Sequence, residues 1–262
     1  MRLIFIISLS MIISSPILSH GRAMTVRIDH IVLAVTDLKK ASNHLERMGF
    51  TIKPGRVHSN GLLNAHIKFS DQTGLELMTL TKEPSDPVST TYSEFLEQGP
   101  GGAFIALSGI GIEALKAELD KNHIPGSILR GRLWDYLVFS KGSGLDHLFF
   151  IAYHQPVIDK PENYTHPNGV TGINRIWVQG DDRLEKLFSL LGADPLDSVS
   201  ETTRRKDRSY TLSNTTLHLV PPPENKSRFR FTGLGFDREL KDRPDRALED
   251  HGIFIMPFSQ QP

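Results

Sequence analysis

Most of the side chains able to do chemistry lie between Arg27 and Leu80: His30, Arg56, His58, Asn64, His66 and Glu76. Glu76 stands in Leu75-Glu76-Leu77, on what reads as an interior strand. A carboxylate buried there without a partner is costly, so it calls for a metal, Arg56 or a ligand. Strand alternation puts every second residue on one face. His30 then travels with Val32 and Ala34, Glu76 with Met78, and Asn64 with His66 and Lys68. One face gathers an imidazole, a carboxylate and several hydrogen-bonding groups. That donor set suits Zn, Fe, Mn or Ni with positions left open for a substrate oxygen. A single histidine is more often structural, and it is the pairing with Glu76 that argues for more. His58 and Asn64 read either as turn chemistry around the Gly55–Gly61 loop or as binding groups. Trp134 reads as the aromatic wall of a cavity or as a core ring.

The elements that must position these groups form a β-α-β-β-β unit. Ile28–Val35 is a β-branched strand. Asp37 is a helix N-cap, Leu38, Ala41, Leu45 and Met48 follow at helical spacing, and Gly49 ends the helix. Strands are expected at Phe50–Lys53, Asn64–Ser70 and Leu75–Leu80. Lys82–Pro100 is a connector marked by Pro84, Pro87 and Pro100, with a helical turn or two within Thr90–Gln98. A second copy follows: strand Gly102–Ser108, helix Ile112–Asn122, a Pro125–Gly131 turn, and strands near Leu133–Ser140 and Leu148–Tyr153. A third has strand Ile173–Gln179, helix Asp182–Leu191 and strands near Ser209–Ser213 and Thr216–Val220. A fourth starts at Phe229–Phe236, with Arg243–His251 as its helix and Ile253–Met256 as its second strand, two strands short of a full copy. The fold class is α+β: tandem βαβββ units pairing into a cupped mixed sheet, about three and a half repeats. A lone unit leaves one sheet face bare, and two can curve around a shared concave space.

Composition narrows the field. Thirty basic and thirty acidic residues cancel, so no overall field favours nucleic acid or anionic membrane. The basic run at Arg204–Arg208 reads as an exposed hairpin loop. There is no cysteine, which excludes disulfides and thiolate chemistry. Residues 1–23 have the charged, apolar and small-residue order of an export signal, with Arg2 at its start, and too short an apolar run for a stable membrane span. The alternative is a cytoplasmic chain starting at Met24. The expected layout is 24–155 for units one and two, a proline-rich linker over 156–169, and 170–262 for the third and truncated fourth units. Completion of the fourth unit by another copy of the chain, making a homo-oligomer, is an open alternative.

The combination of Asp29-His30-Ile31-Val32-Leu33-Ala34-Val35, Asp37-Leu38, Gly49-Phe50, Gly55-Arg56, His58, Asn64-Ala65 and Leu75-Glu76-Leu77 resembles the vicinal oxygen chelate superfamily, and within it the glyoxalase-like domain group. Arg130, Trp134, Leu148-Phe149-Phe150-Ile151 and His166-Pro167 add to the likeness. The resemblance implies a divalent metal held by first- and last-strand side chains, at positions matching His30 and Glu76. It also implies a small-molecule substrate near His58, Asn64, His66 and Trp134, with Glu76 as the alternative general base. Unit two departs from the pattern: Phe104 and Ala152 occupy the positions where a second pair of ligands is expected. The superfamily spans isomerases, lyases, dioxygenases and sequestering proteins, so two readings stand. One is an exported metal-dependent lyase, isomerase or dioxygenase. The other is a metal-free protein that binds or sequesters a small molecule.

Two motifs carry no chemistry. Gly109-Ile110-Gly111-Ile112-Glu113-Ala114 fits a dinucleotide-binding turn by spacing, yet it is the first strand-to-helix turn of unit two. Ser108 lacks the surroundings of a nucleophile elbow. Asn163, Asn214 and Asn225 lie in glycosylation sequons.

Overall fold

The structure is a computed structural model, and it describes residues 26–199, 206–220, 231–238, 240 and 254–255. The export signal, Arg204 and Arg205, Asn225 and the expected helix of the fourth unit lie outside the described residues.

Unit one comprises β1 (Arg27–Ala34), α1 (Leu38–Arg47), β2 (Lys53–Val57), β3 (Leu62–Lys68) and β4 (Gly74–Leu80). Asp37 caps α1 by accepting from the Lys40 N–H at 2.9 Å. Gly49 turns the chain at φ +84°, and a Cβ there would stand 2.9 Å from Cβ of Asn168. The sheet order is β1-β4-β3-β2, with β1 and β4 parallel and the rest antiparallel. A new helix, α2 (Pro87–Leu96), follows. Unit two repeats the plan with β5 (Gly101–Ser108), α3 (Ile112–Lys121), β6 (Gly126–Arg130), β7 (Trp134–Phe139) and β8 (Leu148–Tyr153). Again the last strand pairs with the first in parallel. β1 and β5 pair antiparallel, which joins the two units edge to edge into one curved surface.

Unit three has β9 (Ile173–Gln179), α4 (Asp182–Leu190), β10 (Asp194–Val199), β11 (Lys206–Thr211) and β12 (Thr216–Val220). The fourth contributes β13 (Phe231–Phe236) and β14 (Phe254–Ile255), which pair in parallel. β14 is second in its unit by sequence but holds the lattice place of a last strand. β13 pairs antiparallel with β9, as β5 does with β1, and Phe231 opposite Gly102 links the two halves. The chain is thus an α+β protein of tandem βαβββ units in mixed sheet. One apolar core continues beneath the units, from Ile31, Leu33 and Phe69 through Leu107 and Phe150 to Ile176, Leu187 and Phe236. No helix among the described residues is long and apolar enough to cross a membrane.

Several elements differ from expectation. The Pro84–Pro100 connector holds a helix of 10 residues rather than a turn or two. Pro87 sits in its first turn, where a missing N–H costs nothing, and Asp86 with Ser89 closes a capping box. The second strand of unit one begins at Lys53 instead of Phe50. Phe50 is buried against Phe69, His166 and Phe236, and the Thr51 N–H bonds Nδ1 of His166 at 3.0 Å. β6 occupies what reads as a turn. β10 was not expected at all, because an edge strand tolerates Pro195 and leaves Leu196 exposed. Lys206–Arg208 belongs to β11 rather than to a loop.

Candidate functional site

The side of the unit one and two sheet away from α1 and α3 is concave and encloses a cavity of ≈ 1540 Å³. His30, His58, Asn64, His66, Glu76 and Trp134 all line it. The alternation argued above explains why. Ile31, Leu33, Leu75 and Leu77 enter the helix-packed core, while Val32, Ala34 and Met78 face the other way, against Tyr92 and Phe95 of α2. That helix closes one end of the concave surface.

At the centre, Nε2 of His30 lies 3.5 Å from Oε2 of Glu76. The other carboxylate oxygen, Oε1, accepts from Nδ2 of Asn64 at 2.7 Å. His66 stands directly across from Glu76 in the β3–β4 ladder. Burial pushes the His66 imidazole down to about 4, outweighing the opposing attraction of Glu76. His66 is therefore a neutral hydrogen-bonding group at neutral pH. Asn64 also accepts from the Arg56 N–H at 2.9 Å, which ties the edge strand β2 to the site. Its oxygen lies where a side chain on Gly55 would be: a Cβ there would come within 2.1 Å. Nε2 of His58 is buried without a hydrogen-bond partner.

Asp29 is the residue that alternation misses. Counting by twos sends it into the core with Ile31. The β1–β5 register slips between Ile28 and His30, so Asp29 is a bulged residue and turns to the same face as His30. Its Oδ1 pairs with Nδ1 of His30 at 2.8 Å and accepts from the Tyr153 hydroxyl at 3.0 Å. Burial opposes the Asp29 charge, yet hydrogen bonds from His30, Tyr153 and Ser108 prevail and hold it below the usual carboxylate range. The pairing with Asp29 fixes the ring orientation, so that Nε2 of His30 points toward Glu76 and the cavity.

The unit-two half of the surface is apolar and aromatic. Phe104, Phe149, Ile151 and Tyr153 line it with Trp134 and Tyr136. Phe149 packs edge-on to His30 at 5.8 Å and to Tyr136 at 5.6 Å, and Trp134 meets Tyr153 at 6.2 Å. Burial pushes the Tyr136 phenol up to about 12, so it stays protonated. Ala152 packs against the helix-side core, so the residues facing His30 and Glu76 from β8 are Phe149, Ile151 and Tyr153. Asp146 accepts from the Gly142 N–H, and His147 bonds the Ala103 carbonyl. His154 lies 3.2 Å from Asp135. Among the described residues, no three His, Asp or Glu side chains converge as a metal-binding group.

Residues 28–192 match the family model described as glyoxalase-like domain. A search of curated proteins finds no match. Among solved structures, a hypothetical protein from Staphylococcus aureus superposes with a TM-score of 0.58 at 13% identity, over 81% of this chain and 91% of that one. A xylose isomerase-like TIM barrel/4-hydroxyphenylpyruvate dioxygenase fusion protein gives 0.56 at 17% identity, over 83% of this chain and 37% of that one. Methylmalonyl-CoA epimerase from Mycobacterium tuberculosis gives 0.41 at 18% identity, over 49% and 88%. At these identities the likeness to the first two is one of fold.

Proposed function

The chain belongs to the glyoxalase-like domain family of the vicinal oxygen chelate superfamily, and on that premise we propose that it binds a small molecule in the cup between units one and two. The observation that carries this reading is the division of the cup. Asn64, His66, Glu76 and His30 form a hydrogen-bonding half, and Phe104, Trp134, Tyr136 and Phe149 form an aromatic half. A ligand with an oxygenated head and an aromatic or apolar body satisfies both. The cavity exceeds the ~300–1,000 Å³ of ordinary small-molecule pockets, so it has room for such a ligand.

The donor set is a poor fit to a resident metal. Among the described residues no third His, Asp or Glu joins His30 and Glu76 at one point, and Phe104, Phe149 and Ile151 on the facing strands cannot ligate. The metal-free binding protein is therefore the leading reading. One observation favours the metal-dependent enzyme as the second: the Asp29–His30 pair is the arrangement that orients a metal-bound imidazole. In that case His30 and Glu76 would hold a divalent Zn, Fe, Mn or Ni, which would supply Lewis acidity toward a substrate oxygen. Without metal, Glu76 is the group placed to accept a proton from bound ligand.

Elemental analysis of the purified protein, with thermal unfolding in added Zn, Mn, Ni or Fe(II), separates the readings. The binding reading expects no stoichiometric metal and no metal-dependent rise in Tm. A stoichiometric ion lost in His30→Ala would establish the second. If a broad panel of uncharged aromatic alcohols and carbonyl compounds neither quenches tryptophan fluorescence nor raises Tm, the cup is not a binding site. We also propose that residues 1–23 direct export, which N-terminal sequencing of protein recovered outside the cytoplasm tests.

A further inference from the structure

The bulge that turns Asp29 toward the cup occurs a second time. β9 pairs with β13 so that Gly235 faces Arg175 and Phe236 faces Ile173, which leaves Asn174 as the extra residue. In β1, Ala106 faces His30 and Leu107 faces Ile28, with Asp29 extra. The last strands match as well: His218 stands across from Trp177 as Glu76 stands across from Val32. Ser209 faces His218 as His66 faces Glu76. Unit three therefore carries the site geometry of unit one with the chemistry exchanged. Asn174 replaces Asp29, Arg175 replaces His30 and His218 replaces Glu76. On the pairing strand, Gly233 brings no side chain where Phe104 brings a ring.

This exchange reverses the charge. The first site centres on a carboxylate, whereas the second has a guanidinium and, among the described residues at the matching positions, no acid. Nη1 of Arg175 and Oδ1 of Asn174 are both buried without a hydrogen-bond partner. Burial alone moves the Arg175 guanidinium, and it moves it down. No ion pair offsets this cost among the described residues. Asn174, Arg175 and Trp177 leave their strand beside the same bare glycine, Gly235. A Cβ on Gly235 would lie 3.1 Å from Cβ of Arg175, 3.4 Å from Oδ1 of Asn174 and 3.4 Å from the Trp177 ring. Trp177 stacks on His218 with centroids 4.9 Å apart and planes 14° from parallel, and His218 Nδ1 is held by Ser209 Oγ at 2.9 Å. That stack is a rigid aromatic surface beside an uncompensated cation.

We propose that Asn174, Arg175, Trp177 and His218 form a second binding site, for an organic carboxylate that carries a neighbouring hydroxyl and an apolar or aromatic body. The planar guanidinium takes the carboxylate. Oδ1 of Asn174 accepts from the hydroxyl. The Trp177–His218 stack takes the body. An unpaired donor and an unpaired acceptor on adjacent residues are what such a ligand satisfies, and each is expensive to leave unmet.

Calorimetric titration of the full chain with mandelate tests this, with phenylacetate as the analogue lacking the hydroxyl. The expected result is saturable mandelate binding, severalfold weaker phenylacetate binding, and a loss of roughly tenfold or more in mandelate affinity for Arg175→Met. Asn174→Ala should erase the preference for mandelate over phenylacetate. Glu76→Gln, in the first cup, should leave mandelate affinity unchanged. Because Arg175 has no ion pair among the described residues, Arg175→Met should unfold at the parent Tm or above it without ligand. No binding at millimolar mandelate, or binding that survives Arg175→Met, overturns the proposal. So does loss of binding in Glu76→Gln, which would place the ligand in the first cup. A lower Tm for Arg175→Met would make Arg175 a structural residue.

Discussion

Asn64 donates from Nδ2 to Oε1 of Glu76 at 2.7 Å and leaves Oε2 facing Nε2 of His30. The same amide accepts from the Arg56 N–H through Oδ1. One buried side chain therefore aims the central carboxylate and fastens the neighbouring edge strand. Asn64→Ala strands both partners and is expected to lower stability by about 1–3 kcal/mol. Urea unfolding measures it, and a variant as stable as the parent would mean that these bonds contribute nothing in solution. Asn64→Asp should be worse, since it sets a second carboxylate against Glu76.

Gly55 is required by the same amide. A Cβ at residue 55 would fall 2.1 Å from Oδ1 of Asn64 and 2.3 Å from its backbone oxygen. The backbone oxygen cannot swing aside, so Gly55→Ala must push β2 off β3. We expect a loss of about 1–3 kcal/mol, together with the protection of Arg56 in hydrogen exchange. Full retention of that protection would show that the strand absorbs the methyl group.

The chain of bonds from Tyr153 through Asp29 to His30 sets the imidazole tautomer. Asp29→Asn should release the Nδ1 proton to either nitrogen, and Tyr153→Phe should do so less. Nitrogen-15 chemical shifts of His30 read the tautomer directly. The expected order of change is parent, Tyr153→Phe, Asp29→Asn, and an unchanged spectrum in Asp29→Asn would remove Asp29 from the site.

Stability should fall on the acid side. His66 titrates near 6.5 when unfolded and is pushed by burial to about 4 when folded. The unfolded chain thus takes up the proton first, and stability present above about 6.5 drains away as pH falls toward about 4. His166 is also lowered by burial, despite its bond to the Lys68 carbonyl, and acts in the same direction. Urea midpoints measured across this window should decline more gently in His66→Gln than in the parent. An identical slope would mean that His66 is solvated and titrates normally.

How far the sequence could be read depended on the range of the forces involved. Leu75-Glu76-Leu77 announced a carboxylate on an interior strand because alternation is a local property of extended chain. The same rule placed Asn64, His66 and Lys68 together and gave His30 its face. It misassigned Asp29, because a bulge is made by two strands in register and not by one. It also fastened on Ala152, whereas the residues that face the cup from β8 are its neighbours Ile151 and Tyr153. Pro87 read as a breaker because its benign place in a first helical turn depends on where the helix starts. Phe50 to Ile52 read as strand because their partners lie in the distant segment around His166.

The sequence by itself determined the repeat, the helix caps, the apolar faces and therefore the α+β family to which the chain belongs. These follow from periodicity and capping, which act over a few residues. Only the tertiary structure decided which polar groups meet. The His30–Glu76 approach depends on the register of β1 with β4, the aromatic wall opposite it on that of β1 with β5, and the placement of Arg175 on that of β9 with β13. A slip of one residue there reverses every face. That is why the fold could be read along the chain and the chemistry only across it.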